Sequence, residues 1–403
     1  MNTVNRWIKI GGTLMIGLFV AYLDRINLSI ALPSLSEELG FTGTRFAITS
    51  SWVLTTFLIG YAGANIFGGI LTRKAEPKLI VISLMAIWSV ATLLTGLIGS
   101  LFTLLAMRAI LGTAEGIYWP QQSRFAKAWF APSELTRANS LIQYYGQYIA
   151  LTLGFFILTP IYDSFGWRVL FYITGGIGLF VMIPLFWTML KKESDAPYYK
   201  KYEGAPPKLT LKALGGKPFF LLVFSNLTQA MLFWGVTLWL PMVVKSLGFN
   251  GIKQALGSAL PYFIAILLAI PISYISDKTG RRLLIATFGL FIPGAIMIFL
   301  PIVDAGILKL IMISFALGYG ASSYSANIWT ILQSNVEPSV IGPAAGIING
   351  IGAGGGGTLA GFIVGLFLRS TGSYMLGFMT LGILIILGGV SLMIYGKLTR
   401  QKV

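Results

Sequence analysis

Long apolar runs, broken only by short polar or charged joints, follow one another along the whole chain. A hydrocarbon core about 30 Å thick needs roughly 20 apolar helical residues to cross it. That ruler predicts six helices over residues 10–32, 47–70, 78–97, 101–122, 138–159 and 168–190, and six more over 218–243, 255–275, 282–301, 307–332, 342–367 and 374–396. The polar stretch between the sets divides the chain into an N-terminal bundle (1–190), a cytoplasmic linker (191–217) and a C-terminal bundle (218–403). The expected fold class is an all-α membrane protein of twelve transmembrane helices, in two six-helix bundles with pseudo-two-fold symmetry. Folds made from such parallel repeats place their site near the midplane, where the repeats meet. Residues 10–23 could serve as the apolar core of a signal peptide. The run continues through Leu28 to Leu32 with no small-residue cleavage pattern, so it reads as a first helix.

Composition supports the bilayer. With 56% hydrophobic and 10% charged residues and a mean hydropathy of +0.80, the 403-residue chain is too apolar for a soluble protein with one or two cores. A net charge of +16 would suggest nucleic acid in a soluble chain, but here the basic residues cluster between the apolar runs, and no nucleic-acid partner is expected. Twenty-one Lys and Arg fall at one end of the predicted spans, in the termini, the linker and alternate loops; six (Arg45, Arg168, Lys245, Lys253, Lys309 and Arg369) fall at the other. The positive-inside rule then puts both termini and the linker in the cytoplasm of a multi-pass protein of the bacterial inner membrane. The linker, with its Lys, Glu and Pro206-Pro207, reads as a solvated or surface-lying connector. There is no Cys and no His, which excludes a disulfide frame and the usual zinc and haem sites. No cofactor is expected, and any proton handling falls to carboxylates.

Four charges remain inside the spans: Asp24, Arg25, Arg108 and Glu115, all in the first half. Each costs about 2.5–3.5 kcal/mol on insertion scales, so they should face one another or a water-filled cavity. A rise of 1.5 Å per residue places Asp24 about 21 Å from the inner end of the first span and Arg108 about 10 Å from the outer end of the fourth. The two should therefore meet. Glu115 follows Arg108 by two turns on the same face. Asp24 and Arg25 point about 100° apart, so one is expected to face Arg108 while the other addresses the cavity. A free Arg25 would offer a planar fork suited to a carboxylate, which implies an acidic substrate. Asp24 and Glu115 are the candidate proton carriers, since their proton affinity depends on whether an arginine stands beside them. The plainer alternative, a neutral structural quartet that only pins the first and fourth spans, stays open.

The segment Tyr22-Leu-Asp24-Arg25-Ile-Asn27-Leu-Ser29-Ile-Ala31 resembles the first-helix signature of the anion:cation symporter family within the major facilitator superfamily, which includes hexonate and hexuronate transporters and sialin. Arg108 through Glu115 to Trp129-Phe130, and Ser276-Asp277-Lys278-Thr279-Gly280-Arg281-Arg282 after the eighth span, add to the likeness, which covers essentially the whole chain. The resemblance implies a major facilitator fold in which Arg25 binds the substrate carboxylate, Asp24 and Glu115 carry coupling protons, Arg108 links them, and Asp277, Gly280 and Arg281 form a conformational loop motif. It further implies that Tyr22, Tyr61, Gln147, Trp329 and Asn349 line the cavity, where they would bond hydroxyls and stack on a sugar's apolar face; each Tyr or Trp could equally fill space. Two departures stand out. The loop after the second span has Arg73 where the superfamily pattern carries Asp and Glu76 where it carries Gly, which puts its latch in doubt. The fifth span lacks the Gly-Pro pattern of drug antiporters, which disfavours that subclass. The run Gly352-Ala-Gly354-Gly355-Gly356-Gly357 lies in an apolar span with no Lys after it, so it reads as packing or bending rather than a phosphate loop.

The expected function is alternating-access symport of protons with a small organic anion, a sugar acid or related carboxylate, into the cytoplasm. The expected partners are that anion, protons and the lipid bilayer, and the expected state is a monomer. The alternative is an organic anion or organophosphate exchanger or exporter of the same fold, expected to need a second Arg in the seventh span; residues 218–243 contain none, and Lys245 lies just beyond. No enzymatic activity is expected, and a membrane sensor would need a signalling domain that the sequence does not carry.

Overall fold

The structure, a computed structural model, describes residues 2–42, 44–199 and 208–399, without the side chains of 44–48, 50, 51 and 54. Lys200, Lys201, Pro206, Pro207, Arg400, Lys402 and the Arg45 side chain, all used in reading the orientation or the linker, lie outside the described residues. Among the described residues the regular structure is entirely helical. We number the helices α1 (Thr3–Glu38), α2 (Thr44–Leu71), α3 (Pro77–Thr95), α4 (Leu101–Trp129), α5 (Leu135–Met189), α6 (Phe219–Ser246), α7 (Ile252–Thr279), α8 (Arg282–Ile302), α9 (Gly306–Asn335), α10 (Pro338–Thr371) and α11 (Tyr374–Thr399). Ten of them are long and apolar enough to cross a bilayer; within α2 the apolar stretch Thr55–Leu71 is shorter. Leu71, Phe102 and Phe180 stand 81%, 78% and 77% exposed, a cost that only a lipid surface removes.

Local chemistry sets several boundaries. Glu76 caps α3 through the Lys78 N–H, with Pro77 in the first turn, and Ser100 caps α4 through the Thr103 N–H. Gly280 and Gly372 end α7 and α10 in the left-handed conformation. α5 holds two helical arms, where the sequence predicts two spans over 138–159 and 168–190. Its 55 residues follow one another without a loop, and a straight helix of that length would reach about 80 Å, far more than a bilayer. The break is Gly166, at φ +78° and ψ 174°, a conformation closed to residues with a Cβ, and it divides the run into two arms.

The chain forms two compact units, Met1–Phe130 with Leu141–Glu203, and Ala131–Ser140 with Gly204–Val403. The start of α5 thus belongs to the second unit and the rest of α5 to the first.

In the first unit α2 and α4 touch through their backbones. A Cβ at Gly112 would lie 2.2 Å from the Phe57 carbonyl oxygen, and one at Gly116 would lie 2.5 Å from that of Tyr61. Small residues one turn apart let membrane helices approach this closely, where dispersion replaces the missing hydrophobic drive. The first arm of α5 meets α1 in the same way, with Gly146 against the Met15 carbonyl, and the second meets α3, with Gly175 against Ser89 and Leu93. Leu28, Leu35, Val53, Leu104, Trp167 and Phe171 pack together as a core at one end of this unit.

In the second unit the glycine run of α10 takes a π-helical form over Gly350–Gly356. A Cβ at Gly352 would lie 2.1 Å from Asn226 Nδ2, and that amide donates to the Ile348 carbonyl at 3.0 Å. The glycines are a packing surface for α6, as the apolar setting of the run implied.

Gly112→Ala should destabilise the purified protein by about 1–3 kcal/mol, since its methyl has nowhere to go. Gly63→Ala, also helical but with nothing within 4 Å of the new Cβ, should leave stability unchanged or slightly raised. Thermal unfolding in detergent checks both; equal effects would mean that backbone contact between α2 and α4 is not what holds them.

Candidate functional site

Burial in hydrocarbon forces the four intramembrane charges to find partners, and the pairing is set by how α1, α2 and α4 pack. Arg25 donates from Nε at 2.8 Å and from Nη2 at 2.6 Å to Glu115. Both bonds end on Oε2, and Oε1 of the same carboxylate is buried with no hydrogen-bond partner. The arginine side chain keeps 16% of its surface exposed, the glutamate 2%. Glu115 engages two of the guanidinium nitrogens through one oxygen, so part of the five-donor fork is not taken up by it.

Aromatic rings complete the setting of Arg25. Its guanidinium carbon lies 4.3 Å from the centroid of the Tyr22 ring, 5.0 Å from that of Phe57 and 5.1 Å from that of Tyr61. Cation–π attraction in a desolvated place is worth about 2 kcal/mol, and three rings hold the cation where a flexible arginine would otherwise wander. Phe57 and Tyr61 are one turn apart on α2 and stack on one another. They stand beside Arg25 because Gly112 and Gly116 let α2 press against α4. Phe57 also lies 5.5 Å from the guanidinium carbon of Arg108.

This pairing differs from the one the depths suggested. Arg25, expected to point free into a cavity, is bound to Glu115. Asp24 and Arg108, expected to face one another, form no ion pair within 4 Å among the described residues, although each lies close enough to feel the other's charge. Both are buried, 1% and 5% exposed. The depth estimate fixed their heights but not the rotation of each helix about its axis. Asp24 meets instead the amide of Asn27, whose Nδ2 donates to Asp24 Oδ1 at 3.4 Å and to Thr174 Oγ1 at 2.9 Å.

The other predicted residues divide between the units. Tyr22 and Tyr61 join Arg25 as described. Gln147, on α5 beside the Gly146 contact, is buried with its Oε1 unpartnered. Trp329 on α9 and Asn349 on α10, just before the π-helical run, are buried in the second unit. Phe57 escaped the sequence reading, although its spacing of four from Tyr61 was a signal. Thr92 and Thr174 gave none, since a lone threonine in an apolar helix is unremarkable until the fold shows its neighbours.

The loop motif after α7 is built around a helix terminus. Asp277 accepts from the backbone N–H groups of Thr136 and Arg137, both at 3.0 Å, and from Arg137 Nε at 3.1 Å. A carboxylate at the first turn of α5 satisfies donors that the helix itself leaves open. Gly280 supplies the left-handed turn. Arg281 has an exposed side chain, and it is Arg282 that reaches Asp277, at 3.7 Å, and the Pro132 carbonyl. The departing loop after α2 is held in its own way. Arg124 donates to the carbonyls of Thr72 and Ala75 and pairs with Glu193, while Glu76 accepts from the Glu193 N–H at 2.9 Å.

A many-helix membrane chain with charged groups gathered inside one helical unit has the form of a transporter. The sequence matches the Major Facilitator Superfamily over residues 14–360, and the chain belongs to that family. It is similar to a probable sulfoacetate transporter, SauU, of Cupriavidus necator, with 28% identity over 94% of this chain and 91% of the relative. It is also similar to the D-galactonate transporter of Escherichia coli O6:H1, with 23% identity over 89% and 88% of the two chains, and to a chloroplastic ascorbate transporter of Arabidopsis thaliana, with 25% identity over 88% and 67%. The chain is a multi-pass membrane transporter rather than an enzyme.

A double-mutant cycle on Arg25→Ala and Glu115→Gln should show a coupling of about 0.5–3 kcal/mol, because each single change strands a charge or an acceptor that the other had satisfied. Thermal unfolding of the four proteins measures it, and strictly additive losses would mean the two side chains are not paired.

Proposed function

We propose that the chain is a proton-coupled symporter that imports a small organic anion, a sugar acid or related carboxylate, by alternating access. The observation that carries this reading is the one-sided Arg25–Glu115 pair. A substrate carboxylate and Glu115 compete for the same guanidinium, so protonation of Glu115 removes the competitor. The unpartnered Oε1 of Glu115 is the acceptor at which that proton is held. Anion at Arg25 and proton at Glu115 therefore favour one another, and binding linkage makes the effect reciprocal. Asp24 and Arg108, near enough to act on this pair through their charges, set how readily it opens.

Substrate class follows from the donors. A guanidinium fork suits a carboxylate or sulfonate, whereas neutral sugars gain nothing special from it. The hydroxyls of Tyr22 and Tyr61 and the amide of Gln147 would bond an oxygen-rich backbone; Trp329 and Asn349 stay proposed substrate contacts by resemblance alone. Relatives named for sulfoacetate, galactonate and ascorbate support a small, oxygen-rich anion.

The same reading takes α2, the two arms of α5 and the nine other long helices as twelve spans in two bundles of six. It places both termini and the linker in the cytoplasm of a bacterial inner membrane, from the Lys and Arg distribution, and takes the protein as a monomer. The contacts of Asp277 at the start of α5, with the left-handed turn at Gly280 close behind, then act as a latch in the conformational cycle, with Arg282 beside Asp277 where Arg281 was expected to act.

In proteoliposomes, Glu115→Gln should lose proton-driven accumulation of the anion while keeping counterflow exchange, because the amide mimics the protonated acid. Full accumulation by this variant would remove Glu115 from coupling. Arg25→Ala should abolish the thermal shift that a sugar acid produces in wild type; an unchanged shift would overturn the anionic substrate.

A further inference from the structure

The first turn of α3 and the end of α5 meet at one edge of the first unit, and no step above uses the charges gathered there. Lys78 donates from Nζ to the Trp187 carbonyl at 2.8 Å, and the same ammonium lies 5.5 Å from the centroid of the Trp187 ring. Lys191 and Lys192, exposed just past the end of α5, stand close enough for their charges to act on Lys78. Like charges held together repel, so an anion among them is favoured.

The acids nearby are largely committed. Glu76 and Asp195 also act on Lys78, but Glu76 already accepts from the N–H groups of Lys78 and Glu193, and the Glu193 carboxylate pairs with Arg124. With Glu193 set against Arg124, the three lysines exceed Glu76 and Asp195 by one positive charge. One phosphodiester balances it.

The surface that adjoins these charges is apolar. Trp187 stands 59% exposed, and Phe180 on α5 and Leu79, Ile87 and Val90 on α3 are exposed with it. A small soluble anion gains nothing from such a surface, whereas acyl chains cover it and bring a headgroup to the lysines. Tryptophan settles at the headgroup level of a bilayer, and here its backbone carbonyl holds one of the three ammonium groups at that level. Basic clusters at the ends of membrane helices recognise anionic headgroups.

We propose that Lys78, Lys191 and Lys192, with Trp187, form a binding site for the headgroup of an anionic phospholipid, whose acyl chains lie on the exposed apolar faces of α3 and α5. The lipid thereby joins the two helices at their ends. The site depends neither on what is carried nor on the direction of transport, so it stands apart from the transport reading.

The probe is dioctanoyl phosphatidylglycerol, titrated into the purified full chain in a neutral detergent and counted by native mass spectrometry, with dioctanoyl phosphatidylcholine and inorganic phosphate alongside. Wild type should bind phosphatidylglycerol more tightly than phosphatidylcholine, and inorganic phosphate should not displace it. The double variant Lys191→Gln/Lys192→Gln should weaken phosphatidylglycerol binding by about tenfold or more, and Lys191→Arg/Lys192→Arg should keep it. Lys245→Gln/Lys253→Gln removes the same charge from the second unit and should change little. Equal affinity for the two lipids in wild type overturns the proposal. So does an equal loss in both Gln double variants, which means general charge attraction, and so does displacement by inorganic phosphate, which means a soluble-anion site. Lys78→Gln reads the same site from α3, so undiminished binding in it overturns the proposal even if the linker variant fails to fold.

Discussion

An ionised group in hydrocarbon has to be neutralised by something on another helix, and the Arg25–Glu115 bond is where this protein meets that requirement most directly. It joins α1 to α4 across 90 positions of sequence and sits within a ring of Tyr22, Phe57 and Tyr61. The pair is lopsided: both arginine nitrogens fall on one carboxylate oxygen and the other is left open. A symmetrical fork on fork would be a stronger structural bond. The lopsided one keeps an acceptor for a proton and donors for an anion, which suits a bond that must break and re-form.

That arrangement depends on atoms that are absent. Gly112 lies between Arg108 and Glu115 and Gly116 directly follows Glu115, and the two let the α2 backbone come against α4. A methyl at either position would push Phe57 and Tyr61 outward and loosen the aromatic ring around Arg25. In water, burial of apolar surface would draw two such helices together; in lipid that drive is missing, and close packing of small residues takes its place. The chemistry of the charges and the packing of the glycines are thus one design on α4, within the same short stretch of Arg108 to Gly116.

Asp277 shows the same economy at a helix terminus. The first turn of α5 has backbone donors with no partner inside the helix, and a carboxylate from the end of α7 takes two of them together with the Arg137 side chain. Ala131–Ser140 and Asp277 both belong to the second unit, so this contact lies within that unit. Arg124 and Glu193 fasten a comparable loop within the first unit, and they do so where the sequence lacks the residues its family pattern would have used.

The sequence by itself determined that this chain lives in a bilayer, roughly where its helices run, and that Asp24, Arg25, Arg108 and Glu115 are the residues to explain, because the free energy of placing a charge in lipid is so large that composition and spacing reveal it. The likeness to a family loop motif also marked Asp277 and Gly280, but the partners of Asp277, at the start of α5, are distant in the chain and only the fold shows them. Only the tertiary structure decided that Arg25 pairs with Glu115 while Asp24 turns to Asn27, Thr92 and Thr174, and that the two spans of α5 part at Gly166 with no intervening loop. Spans that are apolar on every side carry little periodicity to say which face turns inward. Partner choice across helices depends on that rotation, which is fixed by how the helices pack.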